Sequence, residues 1–288
     1  MTEKRNRWLV GTVLILAMAA FLSLSLLPIL SGSQNRRTAG TANTPPAVDP
    51  AAQKGELEAQ AKGYELVLGR EPDNQTALKG LIETRIKLGD IKGILVPLQK
   101  LVDQNPKVSE YQVLLAQTKQ RLGDLEGAAQ AYRQVLDANP ADMNALQGLT
   151  ALLVQQQRPQ AAIGLLKDTL TTATKTQGEV APKIQGEAPP PPVDTLSVKL
   201  LLAQVYAETK QFDQALSLYD EAIASSPNDF RPILAKALVL KDKGDVGAAK
   251  PLFDQAVTMA PAQFKDQIKQ MAAQETGPGT SPTPAPAK

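Results

Sequence analysis

The sequence predicts an all-α fold, a stack of helical hairpins preceded by a single transmembrane helix, and three observations carry that expectation. Proline recurs at a fixed interval: Pro72, Pro106 and Pro140 lie 34 residues apart, and so do Pro227 and Pro261. Between these markers apolar residues fall at helical spacing, best seen in Leu122–Pro140, LGDLEGAAQAYRQVLDANP, which closes on Pro. Near the start, the 23 residues Trp8–Leu30 carry no charge. A composition of 22 prolines and 4% aromatics in 288 residues fits many short helices better than one globule.

Residues 1–7 are a short basic N-terminus with Lys4, Arg5 and Arg7. Residues 8–30, as a helix, reach about 34 Å and so cross a bilayer. Three cations and the amino terminus precede the span, while only Arg36 and Arg37 follow it closely. That balance predicts a single-pass membrane protein with its N-terminus in the cytoplasm and the repeats on the extracytoplasmic side, periplasmic or lumenal. The inverse topology, with cytoplasmic repeats, is the alternative. A cleaved signal peptide ending near Ser31 or Ser33 competes with the anchor, but the apolar run is longer than an ordinary signal core. Residues 31–50, rich in Ser, Thr, Gly, Ala, Asn and Pro, read as a flexible linker that cannot offset the entropy of ordering. Residues 276–288, including GPGTSPTPAPAK, read as a disordered tail.

The folded region, 51–275, divides into about six hairpins. The first shows its second helix in Leu57, Tyr64, Val67 and Pro72, with a first helix expected from the polar stretch Asp49–Lys54. The second, Gln75–Val108, has Leu81, Gly89, Ile91, Leu98 and Pro106, and the third, Ser109–Asp142, has Leu115, Ala116, Gly123, Leu125, Ala128, Tyr132, Val135 and Pro140. The fourth, from Met143, keeps Leu149, Ala162 and Leu166 but carries Pro159 near the start of its second helix and lacks the closing proline. The 87 residues between Pro140 and Pro227 are two repeats plus about half of another. The surplus falls in a Pro-rich insertion at 171–193, where apolar periodicity is lost and Pro189–Pro192 forbid a helix. Leu196–Asp229 and Phe230–Pro261 complete the set, the last with Lys236 at a normally apolar position.

Each recurring residue has a physical role. Gly89, Gly123 and Gly244 are placed where a first helix must leave right-handed backbone, and Asp90, Asp124 and Asp245 follow as N-caps of the second helix. Ala116, Ala128, Ala203, Ala215 and Ala249 mark close helix crossings, while Tyr64, Tyr132, Tyr219 and Phe253 fill the space between hairpins. Pro97 and Pro251 fall in second helices, as kinks or as residues tolerated near a helix start.

This pattern of small residues, an aromatic and a closing proline every 34 residues resembles the tetratricopeptide repeat family. The resemblance implies a right-handed α-α superhelix, a solenoid whose first helices form a concave groove for protein partners. Carried onto this sequence, the candidate groove residues are Lys79, Glu83, Ile86 and Lys87; Gln117, Gln120 and Arg121; Gln147, Ala151 and Val154; Leu200, Gln204 and Glu208; and Leu234, Leu238 and Lys241. The early part reads as polar and cationic, and Leu200, Leu234 and Leu238 read as apolar contacts. The clamp by which some family members hold chaperone tails is not matched, because Glu83 stands where Asn would be needed and Gln147 and Ala151 replace its later cations. Glu71–Leu101 further resembles the repeats of cyanobacterial and plastid tetratricopeptide proteins of the SLOW GREEN kind, which implies a thylakoid or plasma membrane and photosynthetic clients.

With no His and no Cys, Ser–His and Cys–His catalysis, thiolate chemistry, disulfides and His-based metal sites are excluded. No phosphate-binding glycine loop occurs, so no enzyme, cofactor or small-molecule substrate is expected. Residues 51–275 hold 25 Lys and Arg against 27 Asp and Glu, without a basic stripe, which speaks against nucleic acid. The expectation is a non-catalytic, membrane-tethered scaffold that assembles or checks membrane complexes by binding their protein subunits. A permanent structural or recruitment subunit of an envelope or secretion complex is the alternative, and a soluble carrier requires signal cleavage.

Overall fold

Helix ends in this chain are set by short polar side chains and by five near-identical turns. The computed structural model describes residues 50–178 and 192–274. Within them lie α1 (Pro50–Arg70), α2 (Gln75–Leu88), α3 (Leu95–Gln104), α4 (Ser109–Arg121), α5 (Leu125–Ala138), α6 (Met143–Gln155), α7 (Pro159–Gly178), α8 (Thr195–Glu208), α9 (Phe212–Ser225), α10 (Phe230–Lys243), α11 (Val246–Met259) and α12 (Ala262–Ala273). Carboxylate or amide oxygens of Asn74, Asp124, Asp142, Asp194, Asp229 and Asp245 accept a backbone N–H of the following helix at 2.9–3.1 Å. Asp90 departs from the expected role: it accepts the Gly93 N–H at 2.9 Å and so caps a turn, and α3 starts only at Leu95. Gly93 weakens the helix there, and Pro97 then stands third in α3, where its missing N–H costs no helical bond.

Between the two helices of each hairpin the chain turns in one way. The N–H groups of Asp90, Asp124, Arg158, Gln211 and Asp245 donate to carbonyls five residues back, at 2.8–2.9 Å. The residue before each donor is left-handed: Gly89, Gly123 and Gly244 at φ 74°, 85° and 94°, but Gln157 and Lys210 at φ 61° and 62°. Two hairpins thus keep the turn without the glycine.

From α2 onward each helix packs on the next, giving the hairpins α2/α3, α4/α5, α6/α7, α8/α9 and α10/α11. The first helices also adjoin one another, α4 with α6, α6 with α8 and α8 with α10. Ala116, Ala128, Ala203, Ala215 and Ala249 are buried at the crossings, as are Tyr132, Tyr219 and Phe253. Leu78, Ile82, Ile94, Leu98, Leu101 and Leu115 join α2, α3 and α4 in one apolar cluster, with Leu68 of α1 against it. Burying such side chains is worth roughly 1.5–3 kcal/mol each, and it is achieved only by stacking.

Three features differ from the sequence expectation. Residues 50–70 are one continuous helix, so Pro50–Lys54 make no separate first helix and, among the described residues, α1 has no first helix before it. The helix α7 runs on through Gly178, eight residues into the stretch expected to be irregular, because no proline follows Pro159 until Pro182. At the other end α12, which has no proline-marked repeat, covers α10: the Phe230 and Phe264 rings stack 5.9 Å apart, and Lys241 donates to the carbonyls of Met271 and Ala272. Lys236, out of place in an apolar position, pairs with Asp220. The span Trp8–Leu30, residues 31–49, the prolines 189–191 and the tail lie outside the described residues; among those described, no helix is long and apolar enough to cross a membrane.

Candidate interaction face

The face shared by the first helices changes character along the array. On α2, Lys79, Glu83 and Lys87 are exposed, and Lys79 holds its ammonium 5.7 Å over the Tyr111 ring of α4. On α4, Gln117 and Arg121 are exposed; on α6, Gln147, Ala151 and Val154 are half-buried. Further on the face closes. Leu200 and Gln204 are only 8% exposed and Leu234 5%, with Leu238 half-buried, so the expected apolar strip is not an open contact surface. At that end α12 is seated on α10 through the Phe230 and Phe264 rings and the Lys241 bonds. Lys241, also expected on the groove, is buried as a cap on the last carbonyls of α12, where a cation meets the negative end of the helix.

Hydrogen bonds fix the early face at the C-terminal ends of its helices. Gln120 of α4 donates to Gln155 of α6 at 3.0 Å, and its carbonyl lies 3.5 Å from the Tyr132 hydroxyl of α5. Burial pushes the Tyr132 phenol up to about 12, so it stays a neutral donor. Gln53, Glu56, Leu57 and Gln60 of α1 and Lys87 of α2 line a cleft of about 700 Å³. Arg85 ties this end together by bonding Glu65 of α1, the Gly93 carbonyl and Asp90, at 3.6 Å for the last. In the closed part, Gln204 donates to Glu208 at 3.0 Å, yet burial holds the Glu208 carboxyl above its ordinary range.

The structure therefore brings Lys87, Gln120, Arg121 and Gln155 to one end of the face and leaves Lys79 on an aromatic ring, about 12 Å along α2 from Lys87 at 1.5 Å per residue. Gln155 and Arg158 were not among the residues expected from the sequence. Arg158 had a readable signal: it occupies the place that Asp90, Asp124 and Asp245 hold in sister repeats, where a helix N-terminus favours an acceptor.

Residues 56–263 match the family described as N-terminal acetyltransferase A, auxiliary subunit. The chain belongs to that family, one of tetratricopeptide type. This family member is 31% identical over 199 residues to protein SLOW GREEN 1, chloroplastic, of Arabidopsis thaliana, a stretch covering 69% of the chain and 59% of the relative. It thus spans less than two thirds of that protein. Among solved structures, a tetratricopeptide repeat protein from Parabacteroides merdae matches with a TM-score of 0.51 at 16% identity, over 77% of this chain and 93% of its own. Yeast Tom70 matches with a TM-score of 0.51 at 12% identity, over 74% of this chain and 42% of its own. At such identities the likeness shows the fold, a tetratricopeptide-type helical repeat.

Proposed function

We propose that this chain is a non-catalytic, membrane-tethered scaffold whose early first-helix face holds protein subunits of a membrane complex during assembly or quality control. The observation that carries the reading is the contrast along that face. Lys87, Gln117 and Arg121 are exposed and their side chains make no hydrogen bond or ion pair among the described residues, whereas Leu200, Gln204 and Leu234 are enclosed. The lack of His and Cys supports a binding rather than a chemical role. The apolar span Trp8–Leu30 supports the tether, which raises the effective concentration near membrane partners. Likeness to a chloroplast protein supports clients in photosynthetic membranes.

The family description favours a second reading, a permanent auxiliary subunit of a larger complex. Cross-linked co-purification of the full chain from detergent-solubilised membranes separates the two. Substoichiometric, immature subunits, lost from Lys79→Glu/Lys87→Glu/Arg121→Glu, are expected of the assembly factor. A mature complex captured in equal amount despite the substitutions would establish the permanent subunit. A C-terminal tag on right-side-out cells should be cleaved by added protease; its protection would reverse the orientation.

A further inference from the structure

Cations at the hairpin turns are treated differently in the two halves of the array. In the later hairpins they are consumed internally: Lys210 pairs with Asp242 at 2.6 Å and Lys243 with Asp213 at 3.3 Å. In three successive earlier hairpins Lys87, Arg121 and Arg158 are exposed, and among the described residues their side chains make no ion pair or hydrogen bond. The nearby acids form no ion pair with them: Asp124 accepts the Gly127 N–H at the start of α5, Asp90 is held by Gly93 and Arg85, and Glu83 and Glu56 stand near Lys87 without pairing with it among the described residues. Arg158 is also locally unfavourable, because it puts a cation and no acceptor at the N-terminus of α7. Lys87 and Arg121 stand in the last turns of α2 and α4, where a cation is favoured, so Arg158 is the one of the three that breaks a local rule, as functional positions do.

We propose that Lys87, Arg121 and Arg158 form a track along the hairpin-turn edge that binds an extended, acidic segment of a partner protein. The track begins at the cleft beside α1, where Lys87 shares the lining with Gln53, Glu56, Leu57 and Gln60, and continues past the bonded pair Gln120 and Gln155. Glutamine amides both donate and accept, so they suit the unpaired backbone of an extended chain whatever its sequence, while the cations select its charge. The first helices α4 and α6 pack together, at the about 8–10 Å usual for packed helices, and an extended chain rises about 3.3 Å per residue, so the proposed segment carries an acid at every third position. No run in this chain has that pattern, which makes the occupant another protein. The inference rests on the scaffold reading and names the chemistry of its client.

The test is fluorescence anisotropy of the full chain in detergent with a labelled ten-residue peptide bearing Glu at every third position among Ser, Gly and Ala. Controls are the same peptide with Gln for Glu, one with the same composition but contiguous Glu, and single-stranded DNA. Arg121→Gln and Arg158→Gln should each weaken binding about two- to fivefold, and the triple variant with Lys87→Gln on the order of thirtyfold, as exposed ion pairs allow. Lys243→Gln, whose cation is already paired, should leave affinity unchanged. Raising the salt should weaken binding further. Equal binding of the Gln peptide, indifference to Arg158→Gln, or equally tight binding of DNA through the same residues would overturn the proposal. If clients still co-purify while the peptide fails, the track falls and the scaffold stands; if the peptide binds and no client co-purifies, the scaffold falls.

Discussion

At position 148 there is no room for a β-carbon: one added there would sit 2.3 Å from the Tyr132 ring, and one at Gly80 would meet the Tyr64 ring at the same distance. Overpacking of this kind costs about 1–3 kcal/mol, so Gly148→Ala should lower the urea midpoint with an unchanged slope. Gly164, inside α7, has nothing within 4 Å of an added β-carbon, and Gly164→Ala should stabilise by roughly 0.5–1 kcal/mol. One substitution with opposite signs at two helical glycines separates packing from propensity. Burial sets a second residue-scale effect. The Glu208 carboxyl is held above its ordinary range by burial, with the bond from Gln204 opposing. A carboxyl whose folded value is raised favours the protonated form, so its charge costs stability above that value, and the cost fades as pH falls through it. Glu208→Gln should therefore raise Tm at pH 7 to 8, and the gain should shrink on acidification. A constant difference across pH would show that the carboxylate is not the cause.

At the scale of elements, the hairpin turn is more conserved in geometry than in sequence. Five turns share the same backbone bond, though only three have glycine at the left-handed residue. Gln157, exposed and at φ 61°, is the clearest departure, because Lys210 is engaged with Asp242. Gln157→Gly should stabilise by about 1 kcal/mol, read as a rise in Tm, since a left-handed non-glycine residue costs about 1–2 kcal/mol. Such turns explain what was legible. The 34-residue prolines, the glycines at 89, 123 and 244 and the buried alanines were readable because each reflects a local steric need. Asp90 misled because Gly93 and Pro97 delay α3, and α12 was hidden because it repeats none of the markers and is held by contacts from Lys241 and Phe230 of α10. The candidate face was legible only in its early part. Exposure of Lys87 and Arg121 follows from helical phase, whereas Leu200 and Leu234 are buried at positions that repeat phase places on the same face, so repeat position does not encode their closure.

For the whole molecule, each hairpin rests on its neighbours, so order along the array is itself a packing variable. Sixteen residues after Tyr64, Tyr132 and Tyr219 come Gly80, Gly148 and Ala235, while sixteen after Leu98 comes Leu114, packed against the same cluster. Tyr64 and Tyr132 thus meet a glycine, while Leu98 and Leu114 share one cluster. Deleting Gln75–Val108, one 34-residue unit, joins Asn74 to Ser109 and keeps an N-cap in place. It also brings Tyr64 against Leu114, a pairing the chain avoids. In the full chain Leu114→Ala removes half-buried apolar volume and should cost about 1–3 kcal/mol. In the deletion variant the same change re-creates the Tyr219 and Ala235 pairing, and it should stabilise. Chemical denaturation of the four proteins gives the two differences directly. The same sign in both backgrounds would mean that interfaces adapt by shifting hairpins as wholes; a reversal of sign would mean that matched pairs of side chains set the order in which the hairpins stack.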